Sequence, residues 1–228
     1  MDKRLDSERR TLNRKFESID IVINILKRGN EENCQESLIS NIDGQLVLKS
    51  ALILMYYNAI EGTMNNLINA FFDTIVVRNM KVSSLPKKLQ KIYCISHLKK
   101  SNQEVSEDNI QDMIINHIND VRICDYKELY PNITFYSGNL DSQGIINVIK
   151  KLGFNLEGSQ FHVSSLKIIK DKRNALAHGD VEFHEACRII TVEDMEKMRS
   201  DLNTYLYNLI DKFEIEINNL IQSTQKNV

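Results

Sequence analysis

The chain has 228 residues, 42% of them apolar and 26% charged, which is the composition of a soluble globular protein. That length supports one large domain or two small ones around a sizeable core. With 29 Lys and Arg against 31 Asp and Glu, the net charge of −2 excludes a generic polyanion binder with a basic surface, so any polyanion contact needs a local basic patch.

Two Pro and eight Gly predict sparse turns and long helices. Residues 2–28 read as one helix, because Leu5, Leu12, Phe16, Ile19, Ile23 and Leu26 recur at spacings near three and four, and Gly29-Asn30 ends it. Residues 31–43 are polar and hold at most a short helix. The most apolar helix is expected over 44–78, apolar nearly all round over 46–57 and striped beyond by Ile60, Met64, Leu67, Phe71 and Ile75. Glu61 falls inside that stripe, between Ile68 and Phe72 on the helical wheel. An ionised carboxylate there needs a partner, and Arg173 is the natural one; a helix rotated to leave Glu61 solvated is the alternative.

Residues 79–84 read as a linker, and Pro86 suits the first turn of a helix running to about residue 99. Its basic run, Lys87, Lys88, Lys91, Lys99 and Lys100, is a solvated face or an RNA-contact face. A further helix is expected over 106–126, burying Ile110, Met113, Ile114, Ile118 and Val121, with His117 as a satisfied core histidine. Residues 127–140 are irregular, with Ile133-Thr134-Phe135-Tyr136 as a candidate short strand. Asp141 is expected to cap a helix through Leu152, stopped by Gly153. After a loop over 154–163, Ser164 or Ser165 opens the next helix. A loop of about ten residues then follows Gly179, containing His184 and a candidate extended piece over 187–190. Thr191-Val192-Glu193-Asp194 resembles a capping box with Asp in place of Glu or Gln. The last helix carries Met195, Met198, Leu202, Leu206, Leu209, Phe213, Ile217 and Leu220 on one stripe and should fray from about Ser223.

Cys34, Cys94, Cys124 and Cys187 are far apart and form no C-x-x-C, against a zinc knuckle or a redox motif. The charged start lacks a signal-peptide apolar region, and the longest apolar run, 51–57, is too short to span a bilayer. The expectation is a cytoplasmic protein without membrane attachment. No phosphate-binding glycine loop, dinucleotide fingerprint, nucleophile elbow or H-E-x-x-H occurs. His178 and His184 with Glu182 or Glu185 match no familiar metal module, so neither metal nor cofactor is expected.

The sequence is organised around Lys170-Asp171-Lys172-Arg173-Asn174-Ala175-Leu176-Ala177-His178-Gly179-Asp180. Leu and Ala favour helix, and Gly179 reads as a left-handed stop. His178 then lies in the last helical turn, where the dipole favours the protonated imidazole, a position suited to proton transfer. Asn174 and His178, four apart, share a face. Arg173 lies about 140° from His178, on the stripe of Leu166, Ile169 and Leu176, and so points toward the core. Lys167, Lys170 and Lys172 surround it as a basic cluster suited to phosphate contacts. A structural ion-pair arginine and a helix-terminal histidine are the plainer roles for the same residues.

Arg173 to His178, with four intervening residues, a polar residue directly after the Arg and Ala-His-Gly at the close, resembles the R-x(4–6)-H signature of the HEPN superfamily, and more closely its prokaryotic members tied to defence and toxin–antitoxin loci. The resemblance implies a single all-α domain over 1–228, a bundle of about five principal helices with short accessory ones. It implies a two-fold homodimer whose motif helices meet in one composite cleft. The implied reaction is metal-independent RNA endonuclease cleavage, giving a 2′,3′-cyclic phosphate and a 5′-hydroxyl. Arg173, Asn174 and His178 would be catalytic, and an antitoxin or defence protein would be a partner. The family also includes non-catalytic modules that bind a nucleotide or act as a protein-interaction subunit, and this is the alternative.

Overall fold

Apolar side chains at three- and four-residue spacing have only one way to leave water together, which is on one side of a helix. The computed structural model describes residues 3–29, 41–119, 121–123, 139–155 and 163–225, and among these the fold is all-α. Its helices are α1 (Lys3–Gly29), α2 (Ile42–Val77), α3 (Lys87–Lys100), α4 (Glu107–Asn116), α5 (Ser142–Leu152), α6 (Ser164–His178), α7 (Phe183–Ala186) and α8 (Val192–Gln225), with a 3-10 turn over Val82–Ser84. They fall into two compact units. One comprises Met1–Asn66, Gly138–Gln143 and Phe161–Ile210, the other Leu67–Ser137, Gly144–Gln160 and Asp211–Val228.

The first unit holds α1, α6, α7 and the opening stretches of α2 and α8. All six apolar residues of the α1 stripe are buried. Leu52, Ile53, Tyr56 and Tyr57 of α2 are buried too, and the Tyr56 hydroxyl donates to the Met195 carbonyl at 2.7 Å. Burial raises the Tyr56 hydroxyl pKa well above the tyrosine value, so it stays a donor. Arg199 of α8 grips Asp20 of α1 through two bonds of 2.8 Å and lies over the Phe16 ring, a bidentate pair with fixed geometry. Within the stretch 46–57, read as apolar nearly all round, Val47 is exposed. The capping box is present: the Asp194 amide donates to Thr191 Oγ1 at 3.1 Å, and the Thr191 amide to Asp194 Oδ2 at 3.0 Å.

In the second unit Phe71, Phe154 and Phe213 pack edge to face, with centroids 5.1 and 5.0 Å apart, and the stripe residues that α8 contributes there, Phe213, Ile217 and Leu220, are buried. The helix expected over 106–126 ends instead at Asn116. Beyond it the β-branched Val121 and Ile123 gain extended partners: the Val82 amide donates to the Val121 carbonyl at 2.8 Å, and the Ile123 amide to the Met80 carbonyl at 3.1 Å. His117 therefore sits at a helix end, is exposed, and lies 3.6 Å from Asp112, which corrects its reading as a core histidine. Residues 187–190 are a turn, not an extended piece, because the carbonyls of Glu185 and Cys187 accept from Arg188 and Ile190. The terminal helix persists to Gln225, past the expected fray. The candidate strand at 133–136 lies outside the described residues.

Gly153 and Gly179 end α5 and α6 with φ of 84° and 73°. A Cβ on Gly153 would stand 2.9 Å from Pro86 Cβ, whereas one on Gly179 would meet nothing within 4 Å. Both Gly→Ala changes incur about 1–2 kcal/mol of left-handed strain, and only Gly153→Ala adds a clash with a rigid ring. In urea denaturation Gly153→Ala should lose about 2–4 kcal/mol and Gly179→Ala about half of that. Equal losses would contradict the packing described for Gly153.

Candidate functional site

Helix α6 starts after Val163 and ends at Gly179, the stop expected from the sequence. The Asp180 amide reaches back to the Ala175 carbonyl at 2.9 Å, closing the last turn. Leu166, Ile169 and Leu176 face inward and are buried. The Ser165 hydroxyl donates to Asp201 of α8. His178 is exposed, as are Ala177, Gly179 and Asp180.

Arg173 is half-buried, on the inward side that its register predicts. Its guanidinium carbon lies 4.4 Å from the centroid of the Tyr57 ring on α2. Arg173 Nη1 donates to Asn174 Oδ1 at 3.0 Å, and Asn174 Nδ2 donates to Asn139 Oδ1 at 2.7 Å. The next residue, Leu140, gives its buried amide to the Tyr57 hydroxyl at 3.1 Å. Burial, as the largest effect, pushes the Tyr57 hydroxyl pKa up; the Leu140 bond pulls it down, Glu61 raises it, and Arg173 and Lys170 lower it. Glu61 is half-buried one turn beyond Tyr57, so its charge and that of Arg173 act on the same phenol.

The three lysines take separate paths. Lys167 Nζ bonds Asp171 one turn on. Lys170 Nζ lies 2.6 Å from Asp141 and 3.7 Å from Asp171. Lys172 is half-buried, and its charge acts on the buried Cys187 thiol, whose pKa burial raises. Asp141 directly precedes α5, where a cap was expected, and its carboxylate also reaches across to α6. Ser142 Oγ then donates to the Val163 carbonyl at 3.1 Å and accepts the Val163 amide at 3.2 Å.

Among the described residues no group of three or more His, Cys, Asp or Glu is gathered as a metal ion would need, and no helix is long and apolar enough to cross a membrane. In the second unit a cleft of about 590 Å3 is lined by Tyr93, His97, Asp112, Met113 and His117 among others, and none of its lining residues belongs to α6. Sequence reasoning missed Tyr57 and Asn139 as parts of the site. Tyr57 carried one usable signal, its place four residues before Glu61.

Among the described residues the fold is all-α, with Arg173 and His178 near the end of one helix, and the class is HEPN. The model of the MAE_28990-like HEPN family matches residues 5–220, and the chain belongs to that family. Comparison with curated proteins and with solved structures finds no match.

The bond to Asp141, helped by the charge of Asp171 and opposed by burial, holds the Lys170 ammonium above its ordinary pKa. Folding therefore favours the charged lysine. That stabilisation is complete below about pH 10 and is lost as pH rises through the raised value. Lys170→Met should be less stable than wild type at about pH 8, and the gap should narrow as pH rises past the ordinary lysine value. A gap independent of pH in urea titrations would show that the pair does not contribute.

Proposed function

We propose that the protein is a metal-independent RNA endonuclease whose active site is completed in a homodimer by the α6 helices of two copies. The observation that carries this is the division of labour at one helix end: His178 stands exposed in the last turn, and Arg173, one turn earlier, is held over Tyr57. Family membership supports the same reading.

In this reaction the RNA 2′-oxygen attacks the adjacent phosphorus and the bond to the 5′-oxygen breaks. The 2′-hydroxyl proton is removed and a proton is delivered to the leaving 5′-oxygen, so charge and atoms balance. The products are a 2′,3′-cyclic phosphate and a 5′-hydroxyl. His178 moves these protons. Arg173 meets the charge growing on the phosphorane, with Asn174 holding the guanidinium through its carbonyl oxygen and Glu61 helping to orient it. Lys167, Lys170 and Lys172 draw the RNA backbone toward the helix. An enzyme of this kind needs restraint in the cell, which calls for an antitoxin or defence partner.

One observation favours the second reading, a non-catalytic nucleotide-binding or protein-interaction module. Lys167 and Lys170 already bond Asp171 and Asp141, so part of the basic cluster is neutralised within the chain.

Incubation with end-labelled single-stranded RNA in excess EDTA separates the two. Wild type should cut and leave cyclic-phosphate ends. His178→Ala and Arg173→Ala should each be slower by on the order of 100-fold or more. Glu61→Gln should slow cutting in the wild type and add little in Arg173→Ala, as expected of coupled residues. Equal cutting by all variants, or no cutting by a folded dimer, would overturn the nuclease reading.

A further inference from the structure

We infer that Asn139 and Tyr57 are positioning residues that lock the Arg173 guanidinium from two sides. The inference deepens the nuclease reading and rests on it for its kinetic arm alone. The contacts form a closed circuit. Asn139 Oδ1 accepts from Asn174 Nδ2, Asn174 Oδ1 accepts from Arg173 Nη1, the guanidinium lies over the Tyr57 ring, and the Tyr57 hydroxyl accepts the Leu140 amide. Leu140 is bonded to Asn139 through the peptide, so the circuit begins and ends on neighbouring residues.

Each link fixes what the next requires. An asparagine amide has a donor end and an acceptor end. With an acceptor from Asn139 in front of it, Asn174 turns its NH2 outward, which leaves its oxygen for Arg173. Turned the other way, it would set NH2 against a guanidinium that carries only donors. Tyr57 bounds the guanidinium on its other side, and the Leu140 bond prevents the phenol from swinging away. Two more ties hold the same stretch to α6: Asp141 to Lys170, and Ser142 to Val163. Residues 139–142 thus engage α6 at its start, its middle and the motif. A long arginine side chain left alone would sample many rotamers; here one is selected before substrate arrives.

Asn139 is exposed, so its replacement tests the circuit without opening the core. Two readouts are made on the full chain. The first is the NMR shift of the Arg173 side-chain NH and δ-CH2 groups, identified by their loss in Arg173→Ala. In the wild type the Tyr57 ring current moves them upfield. Asn139→Ala should bring them toward free-arginine values, and Asn139→Asp, which keeps the acceptor, should hold them. The second is RNA cleavage. Asn139→Ala should lower kcat on the order of 100-fold with KM little changed, and Asn139→Asp should restore most of the rate. Unmoved Arg173 signals in Asn139→Ala, or equal rate losses in the Ala and Asp variants, overturn the inference. If wild type cuts no RNA, the nuclease reading fails, and the NMR shifts still decide whether Asn139 positions Arg173.

Discussion

The site depends on one contact, the guanidinium of Arg173 over the ring of Tyr57. A charge carried to the inner side of a helix loses water, and that loss must be offset by groups that face it in fixed directions. Tyr57 offers a π-face, Asn174 an acceptor, and both are held in turn by residues 139 and 140. The outcome is a cation that is half-buried and oriented before any ligand arrives. In water the same arginine would be a flexible point of charge. Here its direction is set by the helix that carries it, by α2, and by the short stretch ahead of α5.

The architecture around this contact is what a chain poor in Gly and Pro can build. Long helices carry continuous apolar stripes, and polar ties between them set register: Arg199 to Asp20 joins α8 to α1, and Tyr56 to Met195 joins α2 to α8. Against that frame the end of α6 is open. The left-handed turn at Gly179 gives the carbonyls of Ala175 and Leu176 backbone partners, and His178 is left at the surface. A firm cation and an exposed imidazole lie within one helical turn and a half, and the proposed phosphoryl chemistry uses both.

Much of this was legible in the sequence, and the reason is periodicity. The stripes of α1, α6 and α8, the glycine stops and the Thr191–Asp194 box are local patterns, and local patterns survive folding. What the sequence hid was set by distant partners. Val121 continues a helical stripe on paper, yet it and Ile123 bond in extended form with Val82 and Met80. His117 read as interior because the helix was carried past its end. Lys167, Lys170 and Lys172 read as one cluster, but the partners each would find, Asp171 for the first two, Asp141 for Lys170 and the surroundings of Cys187 for Lys172, were not legible. Asn139 had no signal at all, since a lone Asn in an irregular stretch predicts nothing about an arginine 34 positions later. Glu61 drew notice because a carboxylate on an apolar stripe demands a partner, and it lies half-buried beside Tyr57, which one turn earlier made no such demand.

The central claim is that the end of α6 cleaves RNA through the substrate's own 2′-hydroxyl. The most direct test is a matched pair of oligonucleotides, one all-ribo and one with a single 2′-deoxy residue at the mapped cut site, each incubated with the protein in EDTA. The account predicts cutting of the first and none at that position in the second. Cleavage of the deoxy-substituted bond at a comparable rate would contradict it, because the nucleophile would then have to come from elsewhere.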